Sequence, residues 1–143
     1  MSRILVIDDD RLVRFTIRTA LEQAGHDVVE AEDGARGIAA FDAGAFDLVI
    51  TDLLMPEKEG VETVREIRQR SARVKILAVS GGGAMKTLDY LAMAEALGAV
   101  RSLAKPFTAR ALVQVVDELL AAGRVGMTRT NPAQDSRLRG RRQ

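Results

Sequence analysis

The sequence predicts a three-layer α/β domain, in which helices cover both faces of a parallel sheet. Short, nearly continuous apolar runs rich in β-branched residues alternate with longer segments whose apolar residues have helical spacing. Continuous apolar runs are typical of strands that are buried on both faces. Five repeats of strand then helix predict a parallel sheet with right-handed crossovers.

The strands and helices can be assigned in chain order. The predicted strands are 4–7, 28–29, 48–51, 76–79 and 100–104, and a helical segment follows each of them. The apolar positions of the five helices are, in order, Leu12, Phe15, Ile17 and Leu21; Ile38 and Phe41; Val61, Val64 and Ile67; Leu88, Leu91, Ala94 and Leu97; and Leu112, Val116, Leu119 and Leu120. Asp10 and Thr108 are suitable N-caps for the first and fifth helices. Gly25, Gly98 and Gly123 are suitable stops.

The composition excludes several classes of function. The chain of 143 residues has no cysteine, which removes disulfide frameworks, thiolate metal sites and thiol nucleophiles. The single histidine, His26, cannot form a histidine zinc cluster, and its place after Gly25 predicts a surface turn residue. The sequence shows neither a signal-peptide pattern nor an apolar stretch near the ~20 residues of a membrane span, so we expect a cytoplasmic protein.

The formal net charge of +1 hides an asymmetry along the chain. The last twenty residues hold six of the 21 basic side chains but only one of the 20 acidic ones. Residues 1–123 therefore carry 15 basic and 19 acidic side chains. We predict an acidic folded domain over 1–123 and a flexible basic tail over 124–143. The tail has no aromatic residue and no helical pattern, so we favour a solvated tail over a nucleic-acid-binding one.

Polar residues follow four of the predicted strands. Asp8 and Asp9 follow the first strand, Asp52 the third, Ser80 the fourth and Lys105 the fifth. In an open parallel sheet, ligands bind at the carboxyl ends of the strands. The sequence therefore predicts one site that contains three carboxylates, a hydroxyl and an ammonium group.

These side chains are suited to phosphoryl chemistry. Asp8 and Asp9 are oxygen ligands of the kind that Mg²⁺ prefers. Asp52 could be a third ligand, or a nucleophile that forms an aspartyl-phosphate. A transferred phosphoryl group needs positive charge around its oxygens, which the metal and Lys105 could supply. Ser80 could donate a hydrogen bond to a phosphoryl oxygen.

The sequence resembles the receiver domains of bacterial two-component response regulators. It is similar to the chemotaxis regulators in size and order of elements, from about residue 4 to residue 122. Each shared motif is weak alone, but five in order at the strand ends are specific: Ile7-Asp8-Asp9-Asp10, Thr51-Asp52-Leu53-Leu54-Met55-Pro56, Gly60, Ser80 and Lys105-Pro106-Phe107. The resemblance implies a flavodoxin-like (βα)5 fold with a five-stranded parallel sheet of order 2-1-3-4-5.

The resemblance also implies roles for the site residues. Asp52 is the expected phospho-acceptor, and Asp8, Asp9, Asp52 and the backbone carbonyl of Leu54 are the expected Mg²⁺ ligands. Ser80 and Lys105 take the positions of the switch hydroxyl and of the lysine that precedes a cis-like proline bond. The expected donor is a phosphohistidine on a sensor histidine kinase or a histidine phosphotransfer protein. Self-catalysed phosphotransfer and slow autodephosphorylation are the only expected reactions.

The expected output is a change in binding to a downstream protein. We expect a single-domain regulator, because too little chain follows residue 123 for an output domain. The predicted fourth helix, fifth strand and fifth helix form the expected output face, and a homodimer through this face is one alternative. Many receivers have Tyr or Phe where this chain has Ser102; either signalling does not use this face, or it uses other residues such as Tyr90 or Met85. Leu54 occupies a position that is often polar.

Two other functions remain open at this point. A haloacid-dehalogenase-type phosphatase would use Asp8 as nucleophile, since Asp8-Asp9-Asp10 fits its Asp-x-Asp pattern. That class normally needs a longer chain, and it leaves the motif from Asp52 to Pro56 unexplained. A phosphate-independent receiver scaffold would leave the whole set of phosphorylation residues without a use.

Overall fold

The computed structural model describes residues 2–53, 59–80, 98 and 101–125. Strands and helices alternate along this part of the chain. The strands are β1 (Arg3–Ile7), β2 (Asp27–Ala31), β3 (Leu48–Asp52), β4 (Lys75–Ser80) and β5 (Arg101–Ala104). The helices are α1 (Arg11–Gln23), α2 (Gly34–Ala43), α3 (Glu59–Arg70) and α4 (Ala109–Val125). The predicted helix around 88–97 and residues 126–143 of the predicted tail lie outside the described residues.

The five strands form one parallel sheet in the order β2-β1-β3-β4-β5. This confirms the predicted α/β class and strand order. In the register, Ile7 pairs with Thr51, Asp52 with Val79, and Ser80 with Ala104. The carboxyl ends of β1, β3, β4 and β5 therefore meet at one edge of the sheet.

The sheet separates two hydrophobic cores. Because successive strand residues point to opposite faces, Leu77 belongs to the core under α1 and α4, whereas Ile76 belongs to the core under α2 and α3. Both side chains are fully buried. Burying a side chain of this size contributes about 1.5–3 kcal/mol, so both faces hold the strand ends in place.

The predicted caps of α1 and α4 are confirmed. The Asp10 carboxylate accepts hydrogen bonds from the backbone N–H groups of Leu12 and Val13. The Thr108 hydroxyl accepts one from the N–H of Ala111. Gly25 follows the end of α1 with φ +96°, a conformation that favours glycine. The predicted stop at Gly123 is wrong, since α4 runs to Val125; a glycine inside a helix costs only about 1 kcal/mol.

Two predictions about the exposure of side chains are wrong. Leu12 and Phe15, predicted on the apolar face of α1, are 72% and 61% exposed, because the face packed on the sheet is formed by Ile17, Ala20 and Leu21. His26, predicted on the surface, has a side chain that is only 9% exposed. Its ring reaches α4, where Nε2 lies 3.3 Å from Asp117 Oδ1.

None of the helices in the described part of the chain has both the length and the apolar character needed to cross a lipid bilayer.

Candidate functional site

The carboxyl edge of the sheet brings together five of the six predicted site residues. Asp8 and Asp9 directly follow β1, Asp52 and Ser80 are the last residues of β3 and β4, and Lys105 directly follows β5. Leu54, whose backbone carbonyl is the sixth predicted group, lies outside the described residues. The parallel register places these residues together, although they are far apart in the sequence.

Three carboxylates form an acidic cluster at this edge. One oxygen from each of Asp8, Asp9 and Asp52 lies within 4.8 Å of the other two. Asp8 is fully buried, Asp52 is 4% exposed and Asp9 is exposed, so the cluster is open to solvent on one side. Burial, with a smaller contribution from the charge of Asp52, raises the pKa of Asp8 above its ordinary value. A bound cation would relieve both effects.

Lys105 bridges two of these carboxylates. Its Nζ lies 3.0 Å from Asp8 Oδ2 and 3.4 Å from Asp52 Oδ2. Burial lowers the pKa of Lys105, but the two neighbouring aspartates outweigh it and the net direction is upward. Lys105 is therefore cationic throughout the neutral range. The backbone of Lys105 is held in place as well, since its N–H donates to the Ser80 carbonyl at 2.7 Å. The Lys105–Pro106 peptide is cis.

The end of β1 is held by hydrogen bonds to both the side chain and the backbone of Asp8. The N–H of Asp10 donates to Asp8 Oδ1 at 2.8 Å, and the Asp8 N–H donates to the Ala31 carbonyl at 3.2 Å. Arg14 Nη1 donates to the Asp8 carbonyl at 2.6 Å. The sequence reasoning missed Arg14. The sequence held one indication of its role: Arg14 is a charged residue between Val13 and Ile17, two apolar residues on the side of α1 that faces the sheet.

The backbone of the Asp52 segment is tightly packed. The N–H of Leu53 donates to the Val79 carbonyl at 2.9 Å, and the buried Thr51 hydroxyl donates to the Asp52 carbonyl at 3.2 Å. Gly60 of α3 lies so close that a Cβ atom at this position would overlap the Asp52 carbonyl and come within 2.5 Å of Leu53 Cα. The missing side chain of Gly60 therefore lets α3 approach the end of β3.

Ser80 is fully buried, and its hydroxyl has no hydrogen-bond partner among the described residues. A buried hydroxyl without a partner is costly, so it is available to donate to a group that enters the site. Ser102, which stands where many receivers have an aromatic residue, pairs with Ala78 in β5 and is half-buried. Tyr90 and Met85, the predicted alternatives, lie outside the described residues.

The acidic cluster fits a hard divalent cation. Three carboxylate oxygens lie near one another, two of the carboxylates are buried, and only one ammonium group of the described chain bridges them. Mg²⁺ takes oxygen ligands and usually keeps several waters, which the exposed side of Asp9 allows. The donor set thus matches Mg²⁺ better than a soft metal, which prefers thiolate or imidazole ligands.

Comparisons with known proteins agree on one family. The model of the response regulator receiver domain matches residues 4–117. The chain is 34% identical over 119 residues to the chemotaxis protein CheY of Bacillus subtilis, covering 82% of this chain and 97% of CheY. It is 35% identical over 120 residues to the transcriptional regulatory protein CpxR of Klebsiella pneumoniae, covering 84% of this chain. That match spans about half the length of CpxR.

A solved structure shows the same arrangement of elements. The response regulator receiver domain protein from Clostridium thermocellum superposes with a TM-score of 0.78 at 30% sequence identity. The match covers 87% of this chain and 98% of that one. Nearly the whole of that domain therefore has a counterpart in this chain.

Proposed function

The chain belongs to the response regulator receiver domain family, and we propose that it accepts a phosphoryl group on Asp52 from a histidine kinase or a histidine phosphotransfer protein. Members of this family act in two-component phosphorelays, so the protein is a signalling regulator and not a classical enzyme. The observation that carries the proposal is Lys105, whose ammonium group lies 3.0 Å from one buried carboxylate and 3.4 Å from another.

The proposed transfer uses the Asp52 carboxylate as nucleophile. One carboxylate oxygen bonds to phosphorus while the P–N bond of the donor phosphohistidine breaks, and the electron pair of that bond returns to the imidazole nitrogen. Lys105 is already placed against Asp52, so its charge needs no rearrangement to stabilise the phosphoryl oxygens.

Receiver domains generally bind Mg²⁺ at an acidic pocket, and in this chain Asp8, Asp9 and Asp52 would hold it. The backbone carbonyl of Leu54 is the proposed fourth protein ligand. When bound, Mg²⁺ neutralises part of the negative charge that builds up as the phosphoryl group approaches the carboxylates. Asp8 and Lys105 keep their contact, which links the carboxyl ends of β1 and β5.

The proposed response is a population shift. After transfer, Ser80 donates its unpartnered hydroxyl hydrogen bond to a phosphoryl oxygen and Lys105 pairs with the same group. These contacts bias the chain towards a state that binds a downstream protein through the predicted fourth helix, β5 and α4. Dimerisation through that face is an alternative output, and the cytoplasm is the proposed location.

The phosphodonor is proposed to dock beside the site, on α1. Leu12 and Phe15 are exposed there, and Leu12 lines a groove of about 270 Å³ whose other walls include Pro106, Phe107 and the site residue Lys105. Exposed apolar side chains next to a reaction site are typical of a protein-binding surface. A helical segment of the histidine donor seated in this groove would place its phosphohistidine near Asp52.

The experiment that tests the proposed function maps the phosphorylated residue. The purified chain is incubated with Mg²⁺ and either a phosphorylated kinase or phosphoramidate, a small donor. The acyl phosphate is then trapped and located by mass spectrometry in wild type, Asp52→Ala and Asp8→Asn. Label on Asp52 supports the proposal. Label on Asp8 supports the phosphatase alternative, which the family match does not favour, and no label from any donor supports the scaffold.

The docking surface is tested separately with Leu12→Asp and Phe15→Asp. Both changes place a charge on exposed apolar positions outside the chemistry. We expect slower transfer from the kinase and an unchanged rate from phosphoramidate, which needs no docking surface. Glu62→Lys on α3, an exposed charge change away from the groove, is the matched control. Equal slowing with both donors would contradict docking on α1.

A further inference from the structure

Arg14 connects the end of β1 to a charged network on β2. Its Nη1 donates to the Asp8 carbonyl at 2.6 Å, and its Nε donates to Glu30 Oε1 at 3.0 Å. The Arg14 side chain is only 12% exposed, so it is largely buried, and its contact with Glu30 is not a surface ion pair. The proposed transfer mechanism uses neither Arg14 nor Glu30.

Glu30 is fixed on both of its carboxylate oxygens. Oε1 accepts from Arg14, and Oε2 accepts from Arg18 Nη1 at 3.0 Å. Burial raises the pKa of Glu30, but the hydrogen bonds from Arg18 and Arg14 prevail and the net direction is downward. Glu30 therefore stays ionised and holds the planar guanidinium of Arg14 in one orientation.

The contact with the Asp8 carbonyl also orients Asp9. A peptide unit is planar, so the group that fixes the carbonyl of Asp8 also fixes the N–H of Asp9. The Asp8 carboxylate has its own supports, from the Asp10 N–H and Lys105. Asp9 is exposed, so packing does little to fix its side chain, and the placement of its backbone limits the directions in which its carboxylate can face.

We propose that Arg14, oriented by Glu30, is a positioning residue for the divalent-cation site formed by Asp8, Asp9 and Asp52. This inference rests on the proposed function, because it needs these carboxylates to bind Mg²⁺. Arg14 acts through the Asp8–Asp9 peptide and touches no phosphoryl oxygen. Groups that orient metal ligands change metal affinity about tenfold or more when they are removed.

The sign of the effect separates positioning from simple electrostatics. Removing a positive charge near three carboxylates would strengthen Mg²⁺ binding by Coulomb attraction. Losing the hydrogen bond that orders the Asp8–Asp9 peptide would instead weaken Mg²⁺ binding. If Arg14 only joins α1 to β2, its removal would lower the melting temperature and leave the Mg²⁺ affinity unchanged.

The test is a calorimetric titration of the unphosphorylated full chain with Mg²⁺. We expect Arg14→Met to bind Mg²⁺ about tenfold more weakly than wild type. Arg18→Met is the matched control, since Arg18 also binds Glu30 but makes no contact with Asp8. Arg18→Met should bind Mg²⁺ with unchanged affinity. The melting temperature of each variant without Mg²⁺ reports the stability separately.

A second variant keeps the inference testable if Arg14→Met does not fold. Glu30→Gln retains Arg14 but loosens its orientation, and we expect Mg²⁺ affinity to fall less than in Arg14→Met. Unchanged or tighter Mg²⁺ binding in the folded variants would overturn the positioning role. A wild-type chain that binds no Mg²⁺ would instead overturn the proposed function, so the two failures are distinguishable.

Discussion

The ammonium group of Lys105 lies between two buried carboxylates, 3.0 Å from Asp8 Oδ2 and 3.4 Å from Asp52 Oδ2. The three residues follow or end three different strands, and Lys105 is 97 positions from Asp8 in the sequence. One cation thus joins the carboxyl ends of β1, β3 and β5. The stability of this edge depends on Lys105 or on another cation that can replace it.

Replacing Lys105 with methionine should destabilise the protein in a cation-dependent way. Lys105→Met leaves two buried carboxylates without their ammonium partner, which costs about 3 kcal/mol of unfolding free energy. Mg²⁺ should restore part of this loss. Urea unfolding followed by circular dichroism at pH 7, with and without Mg²⁺, measures both values. Lys75→Met, at the opposite end of the sheet, should show neither effect, and an equal loss with and without Mg²⁺ would contradict the prediction.

Asp8→Asn should stabilise the cation-free protein at neutral pH. The raised pKa of Asp8 means that the folded state binds this proton more tightly than the unfolded state. Its ionisation therefore removes stability as the pH rises from about 4, the ordinary aspartate value, through the raised value. Asp8→Asn lacks this decrease and should therefore be more stable than wild type at pH 7.

Unfolding free energies measured between pH 3.5 and pH 7 without divalent cations test the Asp8 prediction. The difference between Asp8→Asn and wild type should grow with pH. Asp9→Asn, at an exposed carboxylate, should stay within about 0.5 kcal/mol of wild type. A difference between Asp8→Asn and wild type that shrinks as the pH rises would show that the sign is wrong.

Much of the fold could be predicted from local sequence. The apolar runs marked all five strands, most clearly the central ones, because a central parallel strand is covered on both faces and has little room for a charged residue. The observed strands extend the predicted runs to Arg3 in β1, to Asp52 in β3 and to Lys75 and Ser80 in β4. Strand β2 covers Asp27–Ala31 where only 28–29 was predicted, and β5 is described from Arg101. Asp10 and Thr108 were found as caps because a cap acts on the helix that directly follows it.

The errors came from contacts between segments that are distant in the sequence. Helical spacing alone did not show that Leu12 and Phe15 lie outside the face of α1 that packs on the sheet. The sequence around His26 predicts a surface turn residue, because its contact with Asp117 of α4 joins positions that are 91 residues apart. Arg14 reaches a backbone carbonyl, and hydrogen bonds to backbone leave no pattern of side chains in the sequence.

Ser80→Ala should separate stability from the response to phosphorylation. The Ser80 hydroxyl has no hydrogen-bond partner among the described residues, so its removal should change the unfolding free energy by less than about 1 kcal/mol. The rise in melting temperature on adding Mg²⁺ and beryllofluoride, a mimic of the phosphoryl group, should be smaller than in wild type. An unchanged rise would exclude a hydrogen bond from Ser80 to that group.

Thr51→Val is the comparison for Ser80→Ala, because it removes a buried hydroxyl that does have an acceptor, the Asp52 carbonyl. This change should lower the unfolding free energy by about 1 kcal/mol.

Two glycines should respond differently to alanine. Gly60→Ala pushes a Cβ atom into the Asp52 carbonyl, and because backbone atoms cannot move aside cheaply we expect a loss of about 2–3 kcal/mol. In Gly25→Ala the added Cβ atom meets no atom within 4 Å. The only expected cost is the backbone strain of an alanine at φ +96°, which lowers the unfolding free energy by about 1 kcal/mol. Urea unfolding compares the two, and phosphorylation by phosphoramidate should slow only in Gly60→Ala. Equal losses would contradict the prediction.

The bridging position of Lys105 has a consequence for the charge of the phosphorylated state. Three carboxylates of the described residues and the Lys105 ammonium leave two negative charges, which one Mg²⁺ would cancel. If Asp52 is phosphorylated as proposed, its carboxylate becomes a doubly charged acyl phosphate, which would add one negative charge to this set of groups. A neutral donor such as the Ser80 hydroxyl can lower the energy of the excess charge but cannot cancel it. Among the described residues of the site, the proposed phosphorylated form would therefore keep one net negative charge, which a positively charged group of a binding partner could balance.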